Sequence, residues 1–221
     1  NVSGLMTVAG GSVANSGNLN TTGAVHVDGL DIDVGYIQAA GDMTNSGTWN
    51  TDHTAILGGS LTNAEEGTIT VNGQLLNAGG DIANAGDLNT QAGVGFGSIE
   101  AEVGYVQVKG SMTNSGDWDA SQIVALGGTI ANSGTMTSED MTLIDTDLTN
   151  AGGLTVDGHF TMAEAESGEF TKLTNSGDMG VSGAMILAGV KMENTVACCI
   201  TTVRSRRVTV SSTVLQLSCL K

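Results

Sequence analysis

Apolar and polar residues alternate along this chain in short runs that Gly, Asn and Ser interrupt. Two clear examples are SVAN at 12–15 and TITV at 68–71. A period of two is typical of strands with one buried and one solvated face, whereas the 3.6-residue period of helical repeats is absent. The pattern therefore predicts many short β-strands separated by turns.

One phrase recurs along the chain: apolar, any residue, Asn, Ser or Ala, Gly, any residue, apolar. It reads MTNSGTW at 43–49 and IANAGDL at 82–88, and a stretched copy, LTNAEEGTI, lies at 61–69. Asn77 in LLNAGG is an ambiguous extra copy, and Asn194 looks like a degenerate last one. The Asn positions of the phrase are Asn15, Asn45, Asn63, Asn84, Asn114, Asn132, Asn150 and Asn175.

A longer period contains this phrase. A shift of 69 residues lays VGYIQ at 34–38 on VGYVQ at 103–107, and Trp49 on Trp118. The Asn spacings of 30, 18 and 21 residues thus form a three-unit block that is used twice, and a shortened third copy begins near residue 150.

Short strands at a regular period, with one Asn in each, fit the coils of a parallel β-solenoid. Equivalent residues of successive coils would then lie about 4.8 Å apart, in columns. The residues two before each Asn and two after each Gly are apolar, so we expect both columns to point inward. We expect the Asn at a corner, with its amide bonded along the stack, and the Gly at a positive φ. The predicted fold is all-β, a parallel β-helix of about nine or ten coils.

Composition and charge exclude several classes of protein. The chain has 33 Gly and no Pro, and 40% of its residues are apolar, which is too many for a disordered chain. No apolar run reaches the ~18 residues that a membrane-spanning helix needs, so we expect no membrane insertion. A net charge of −16 argues against binding to nucleic acid, because phosphates are bound by basic residues.

The charge divides the chain into an acidic body, residues 1–190, and a basic tail, residues 191–221. The body has 22 acidic residues and only two basic ones, whereas the tail has five basic residues and one acidic one. All three cysteines lie in the tail, where a bridge from Cys219 to Cys198 or Cys199 and free thiols are both open. We expect the tail to cap the solenoid or to dock on another subunit. An out-of-frame or artefactual terminus would also explain the change in composition.

The iterated phrase resembles the repeats of filamentous haemagglutinin-like exoproteins, which are large secreted bacterial adhesins and contact-dependent toxins. The resemblance covers about residues 5–190. It implies a right-handed parallel β-helix, secretion, and a role as an adhesin shaft or surface filament. The chain lacks the Pro-containing secretion motif of that family and any identifiable toxin domain, so the resemblance favours a shaft segment or a small solenoid.

One acidic cluster is a candidate metal site. Asp31 and Asp33 map onto Glu100 and Glu102 by the 69-residue shift, and both pairs precede a VGY segment. Alternating acids point the same way on a strand, which makes an oxygen-ligand site for Ca²⁺ conceivable. The alternative is a solvated acidic loop, and we expect no cofactor to be required.

The remaining chemistry is sparse in the sequence. His26, His53 and His159 do not recur at the repeat period, so we interpret them as solvated surface residues. Polysaccharide lyases of this fold need a basic residue near a Ca²⁺ site, and the body has no Arg. Columns of Thr and Asn suggest ice binding, but four aspartates interrupt them. The two Trp are more typical of core than of a sugar platform.

These observations predict a non-enzymatic structural or adhesive module that is secreted or exposed at the cell surface. Its partners would be further copies of itself, stacked end to end into a filament, or a host or cell-surface glycan or protein. The first alternative is a solenoid surface that binds glycan, Ca²⁺ or ice. The second is a carbohydrate-active β-helix enzyme.

Overall fold

A computed structural model describes residues 1–23, 34–91, 103–165 and 169–195 with their side chains. Six further strands are described by their backbone alone, at 25–27, 30–32, 94–96, 99–101, 199–206 and 209–212. The described residues form strands and turns without a helix, and most strands pair in parallel. The predicted all-β chain of stacked parallel strands is therefore confirmed.

The strands, numbered along the chain, stack into three parallel ladders that the chain visits in turn. Ladder A contains β1 (Met6–Val8), β6 (Val34–Gln38), β9 (His53–Ile56), β12 (Leu75–Asn77), β17 (Tyr105–Gln107), parts of β19 (Asp117–Asn132) and β20 (Thr135–Asn150), β22 (Phe160–Ala163), and parts of β24 (Asp178–Ala188) and β26 (Cys199–Arg206).

Ladders B and C follow in the same way. Ladder B contains β2 (Ser12–Asn15), β7 (Asp42–Asn45), β10 (Ser60–Asn63), β13 (Asp81–Asn84), β18 (Ser111–Asn114), parts of β19 and β20, β23 (Thr171–Asn175), β25 (Val190–Asn194) and β27 (Thr209–Ser212). Ladder C contains β3 (Asn18–Thr21), β8 (Thr48–Thr51), β11 (Thr68–Val71), β14 (Asp87–Thr90), β21 (Gly153–Val156) and parts of β19, β20, β24 and β26.

Two antiparallel hairpins stand outside the ladders. They are β4 (Val25–Val27) with β5 (Leu30–Ile32), and β15 (Val94–Phe96) with β16 (Ile99–Ala101). Each lies in the chain between a ladder C strand and the next ladder A strand, at equivalent places of the two 69-residue blocks. The extra length of these two units is therefore used for a hairpin that forms its own two-stranded sheet.

The core runs along the inside of the stack. Both predicted apolar columns are buried, apart from Val13 and Leu19 in the first described coil, which are partly buried. Trp49 and Trp118 are completely buried, as expected of core residues, and each meets a tyrosine ring edge to face. The ring centroids are 4.7 Å apart for Tyr36 and Trp49, and 4.9 Å apart for Tyr105 and Trp118.

The glycine of the repeated phrase does not adopt a positive φ, so that prediction is wrong. Positive φ occurs instead at the corner between ladders A and B, for example at Gly59 (79°) and Gly128 (85°). The phrase glycine is required by close approach, because a Cβ on Gly116 or Gly134 would overlap the carbonyl oxygen of the phrase glycine in the preceding coil. Glycine at this position therefore lets the backbones of successive coils pack directly on one another.

The described part of the tail continues the stack. The proposed boundary between residues 190 and 191 falls inside β25, whose residues Lys191 and Asn194 pair in register with Lys172 and Asn175. β26 and β27 pair in parallel with β24 and β25. Of the tail cysteines, Cys199 begins β26, whereas Cys198 and Cys219 lie outside the described residues. No helix in the described part of the chain is long and apolar enough to cross a membrane.

Candidate functional site

The phrase asparagines form a single buried file along the corner that follows ladder B. Each amide nitrogen donates to the side-chain oxygen of the Asn in the next coil, at 2.7–2.8 Å. The file runs through Asn15, Asn45, Asn63, Asn84, Asn114, Asn132, Asn150, Asn175 and Asn194.

Each amide also ties down the corner itself. The Nδ2 atom of Asn84 donates to the carbonyl oxygens of Gly86 at 2.9 Å and of Asp117, in the next coil, at 3.1 Å. Its oxygen accepts from Asn63. Every polar atom of this buried side chain is thus used within the stack, so the file holds neighbouring coils together rather than presenting groups to a ligand.

Asn77 belongs to a different file. It pairs with Ile56 and Gln107 in ladder A, and its oxygen accepts from the backbone N–H of Gly80 at 3.0 Å. Gln38 and Gln107 occupy the same file, and their Nε2 atoms donate to corner carbonyls of Gly41 and Gly127, both at 2.8 Å. Neither glutamine belongs to the predicted site residues, although their recurrence in VGYIQ and VGYVQ is a signal that could have identified them.

The two buried tyrosines complete this second polar cluster. The hydroxyl groups of Tyr36 and Tyr105 donate to Gln38 and Gln107, each at 3.0 Å. Burial raises the pKa of Tyr36 from 10.0 to about 12. Burial also raises the pKa of Tyr105, and a hydrogen bond from Asn77 opposes that shift. Both phenols are therefore neutral structural donors at ordinary pH.

The predicted Ca²⁺ ligands fall on the two hairpins. By backbone register, Asp31 lies opposite His26 in the first hairpin and Glu100 lies opposite Gly95 in the second. Asp33 and Glu102 lie outside the described residues. Among the residues with described side chains, no group of three or more His, Cys, Asp or Glu is placed to hold a metal ion. Ca²⁺ binding by these acids stays a prediction.

An open groove of about 380 Å³ crosses the outer surface of ladder C. Asp87, Asp117 and Asp119 line it together with Asn89 and two threonines. Asp87 and Asp117 are neighbours in the register, so their strands lie about 4.8 Å apart. Trp118 lies under this groove and is 1% exposed, so its ring is not available for stacking on a sugar.

The described histidines differ from the sequence-based interpretation in one case. His53 is half-buried, and its Nδ1 accepts a hydrogen bond from the backbone N–H of Gln74 at 2.8 Å, so it fixes a corner rather than facing solvent. His159 is exposed, as expected, and its Nδ1 accepts from the backbone N–H of Ala184 at 3.2 Å. The side chain of His26 lies outside the described structure.

The basic residues of the last described coils form a surface ion-pair cluster. Lys191 and Lys172 lie 3.1 and 3.7 Å from carboxylate oxygens of Glu193. The hydrogen bond from Lys191 and the charges of both lysines lower the pKa of Glu193. Because these groups are largely exposed, solvent screens the cluster and it adds little to stability.

Comparison with family models, with curated proteins and with solved structures finds no match to this chain. The resemblance of its phrase to filamentous haemagglutinin-like repeats therefore stays a prediction. The molecule's own geometry is the basis on which a function can be assigned to it.

Proposed function

We propose that this chain is a structural or adhesive module of a secreted or cell-surface protein, without enzymatic activity of its own. In this proposal the stack is a right-handed parallel β-helix of about nine or ten coils that acts as a shaft. The observation that carries the proposal is the unbroken file of eight consecutive amide hydrogen bonds from Asn15 to Asn194.

The use of the repeated polar residues supports this role. The phrase asparagines and the VGY-segment tyrosines and glutamines are buried and spend their hydrogen bonds on neighbouring coils. A repeat that serves catalysis would present polar groups to a shared pocket, whereas this one joins coils along a single axis. Such a chain resists extension and bending along the stack, which is what a shaft or filament needs.

End-to-end stacking follows from the same geometry. Each coil offers the next one a row of parallel-strand hydrogen-bonding groups and a matching column of side chains. A second copy with the same rung spacing of about 4.8 Å is suited to continue the ladders of the first. We therefore propose further copies of this chain as its principal partner, with a host or cell-surface glycan or protein as the adhesive target.

A ligand-binding surface is the second candidate function. The groove on ladder C brings the carboxylates of Asp87, Asp117 and Asp119 to one outward surface, where they can accept hydrogen bonds from sugar hydroxyls or bind cations. Its threonines and asparagines continue along the ladder, but the aspartates break the uncharged array that ice binding would require.

Negative-stain microscopy of the purified chain, with and without Ca²⁺, tests the proposal. We expect straight rods whose length is roughly 45 Å or a multiple of it, as nine or ten coils at the strand spacing require. Three-dimensional reconstruction of such rods would give the hand and the number of coils. Compact particles without an axial repeat would contradict the shaft. Release of reducing sugar from polysaccharide, abolished by Asp117→Asn, would establish the enzyme instead.

A further inference from the structure

Ladder A differs from the other two ladders in what it presents outward. Two files of outward positions run across eight of its strands, and their residues alternate with buried ones. We call these sixteen positions the apolar face. The first file is Ile37, Ala55, Leu76, Val106, Val124, Thr142, Thr161 and Ile186, and the second is Ala39, Leu57, Ala78, Val108, Leu126, Ile144, Ala163 and Ala188.

Fourteen of these sixteen residues are apolar, two are threonines and none is ionisable. Leu57, Val108 and Leu126 in the second file are 48%, 40% and 44% exposed, although a leucine or valine gains by burial. In β26 the two files continue with Arg204 and Arg206, which mark the end of the apolar face. The face is therefore continuous and uncovered.

The outward positions of the other ladders are polar and acidic. Ladder B carries Asp42, Asp81 and Asp147 in one outward file, and ladder C carries Asp87 and Asp117 next to each other. The acids of this chain, whose net charge is −16, are thus kept away from ladder A. Segregation of charge from one face is typical of a surface that is buried in an assembly.

The local sequence of ladder A leads to the same conclusion. Its strands lie in runs such as TAIL at 54–57 and IVAL at 123–126, where outward positions are apolar as well as inward ones. Strands that are covered on both faces read in this way, whereas a strand with a solvated face alternates. The chain therefore supplies one cover for these strands, its own core, and lacks the second.

We propose that a second copy of this chain covers the apolar face, so that two rods pair side by side through ladder A. Pairing through ladder B or C would bring rows of aspartates together, whereas pairing through ladder A apposes no carboxylates. A second ladder also has the same rung spacing of about 4.8 Å, so the large and small residues of the second file can interdigitate along its whole length. Leu57 beside Ala78 is one such alternation.

The size of the face sets the strength of the pair. Eight strands at their usual spacing extend about 38 Å, and a strand of four residues is about 13 Å wide, which gives roughly 500 Å² for each copy. Two copies would bury about 1,000 Å², which is the lower limit for a specific interface. The pair is therefore reversible, and it forms through one self-complementary face with two-fold symmetry. Side-by-side pairing does not depend on the adhesive role or on end-to-end stacking.

Sedimentation velocity over a range of protein concentrations tests the pairing. In about 0.15 M NaCl, where the charges of the acidic faces are screened, we expect a monomer–dimer equilibrium for the full chain. The double substitution Leu57→Glu and Leu126→Glu places four carboxylates in the paired face and should raise the dimer dissociation constant at least about a hundredfold. The matched control, Thr62→Glu and Ala131→Glu, adds the same charge to outward positions of ladder B in the same coils and should leave dimerisation unchanged.

Photo-crosslinking locates the contact without adding charge. Benzoylphenylalanine in place of Leu126 should give a product of twice the chain mass, with its adducts on residues of the apolar face. The same group in place of Ala131 should give none. A full chain that is monomeric at all soluble concentrations would overturn the proposal. So would an adduct from position 126 to residues 94–101 of the same chain, since the chain's own hairpin would then cover the face. Rods that form normally by microscopy in either case would leave the shaft intact.

Discussion

At the scale of single residues, the repeated phrase is explained by two requirements that adjoin each other. The asparagine satisfies the buried corner carbonyls and links one coil to the next, and the glycine leaves room for the backbone of the preceding coil. The first requirement is one of hydrogen bonding and the second is one of space. A different substitution tests each of them.

Asn84→Ala should be strongly destabilising. It removes the acceptor of Asn63 and leaves Asn114 and the carbonyls of Gly86 and Asp117 without their donor. Buried polar groups that lose their partners cost about 1–3 kcal/mol each, so we expect a loss of about 2–4 kcal/mol in the free energy of unfolding, measured with urea. Asn89→Ala, at an outward position of ladder C one strand further on, should cost less than about 0.5 kcal/mol. Equal losses for the two variants would contradict the role of the file.

Gly116→Ala should destabilise the stack by about 1–3 kcal/mol or more, because the new Cβ would overlap carbonyl oxygens of Ala85 and Gly86. Gly180 is a matched control, since a Cβ there meets nothing within 4 Å and its φ is not positive. Gly180→Ala should be neutral or slightly stabilising, because alanine loses less conformational entropy on folding. Thermal unfolding of the two variants distinguishes them, and a harmless Gly116→Ala would refute the close-approach explanation.

At the scale of elements, each coil is a set of three short strands, and longer units add a hairpin between ladders C and A. The unit from Asn114 to Asn132 connects these ladders through Ser121 and Gln122 alone, whereas the unit before it inserts a hairpin between Gln91 and Gly104. The hairpin is therefore an addition to the coil rather than a part of it.

Deletion of residues 92–103 should leave the fold intact. The deletion joins Gln91 to Gly104, which reproduces the Ser121–Gln122 connection, and the backbone N–H of Gly104 already bonds to Gln122 at 3.1 Å. We expect the same far-ultraviolet circular dichroism per residue and a melting temperature within a few degrees of the full chain. Loss of cooperative unfolding would show that the hairpin belongs to the folding unit.

The buried Tyr–Gln pairs predict a loss of stability in alkali. Because the pKa of Tyr36 rises from 10.0 to about 12 on folding, its contribution is complete below pH 10 and is lost as the pH rises toward 12. Tyr105 acts in the same direction. Stability measured at several pH values above 9 should fall together with the appearance of tyrosinate absorbance. In the double variant Tyr36→Phe and Tyr105→Phe this alkaline slope should flatten; an unchanged slope would assign it to other groups.

At the scale of the whole molecule, three ladders share one core but differ outside. Two carry aspartates, threonines and asparagines, and the third carries the apolar face. The body up to residue 190 has a net charge of −20 with few basic residues to balance it. Charge repulsion therefore acts across the acidic ladders, whereas the apolar face favours association.

Salt should stabilise the folded chain. Two like charges 4 Å apart repel by about 1 kcal/mol in water, and added salt reduces this repulsion. We expect the melting temperature, measured at micromolar protein concentration, to rise between low and moderate NaCl. Asp117→Asn, which removes the neighbour of Asp87, should reduce this dependence. A melting temperature that is independent of salt would show that the carboxylates are too well solvated to matter.

The sequence alone was sufficient for the all-β class, the parallel stack, the two inward columns and the burial of both Trp. These properties depend on alternation within a strand and on exact repetition between coils, and both are visible in a linear chain. Asn15, Asn45 and Asn63 could be placed in one file because the repeated phrase sets their register.

Only the tertiary structure decided why the phrase glycine is needed, where Asn77 lies, and which outward surface is apolar. Each of these depends on what lies above or beside a residue, in a coil that is 18–30 residues away. Gly116 looks like a turn glycine until Gly86 is seen beneath it, and Leu57 and Leu126 look like core residues until their ladder shows that they face outward. Local pattern determines which side of a strand a residue occupies, but only stacking determines what that side meets.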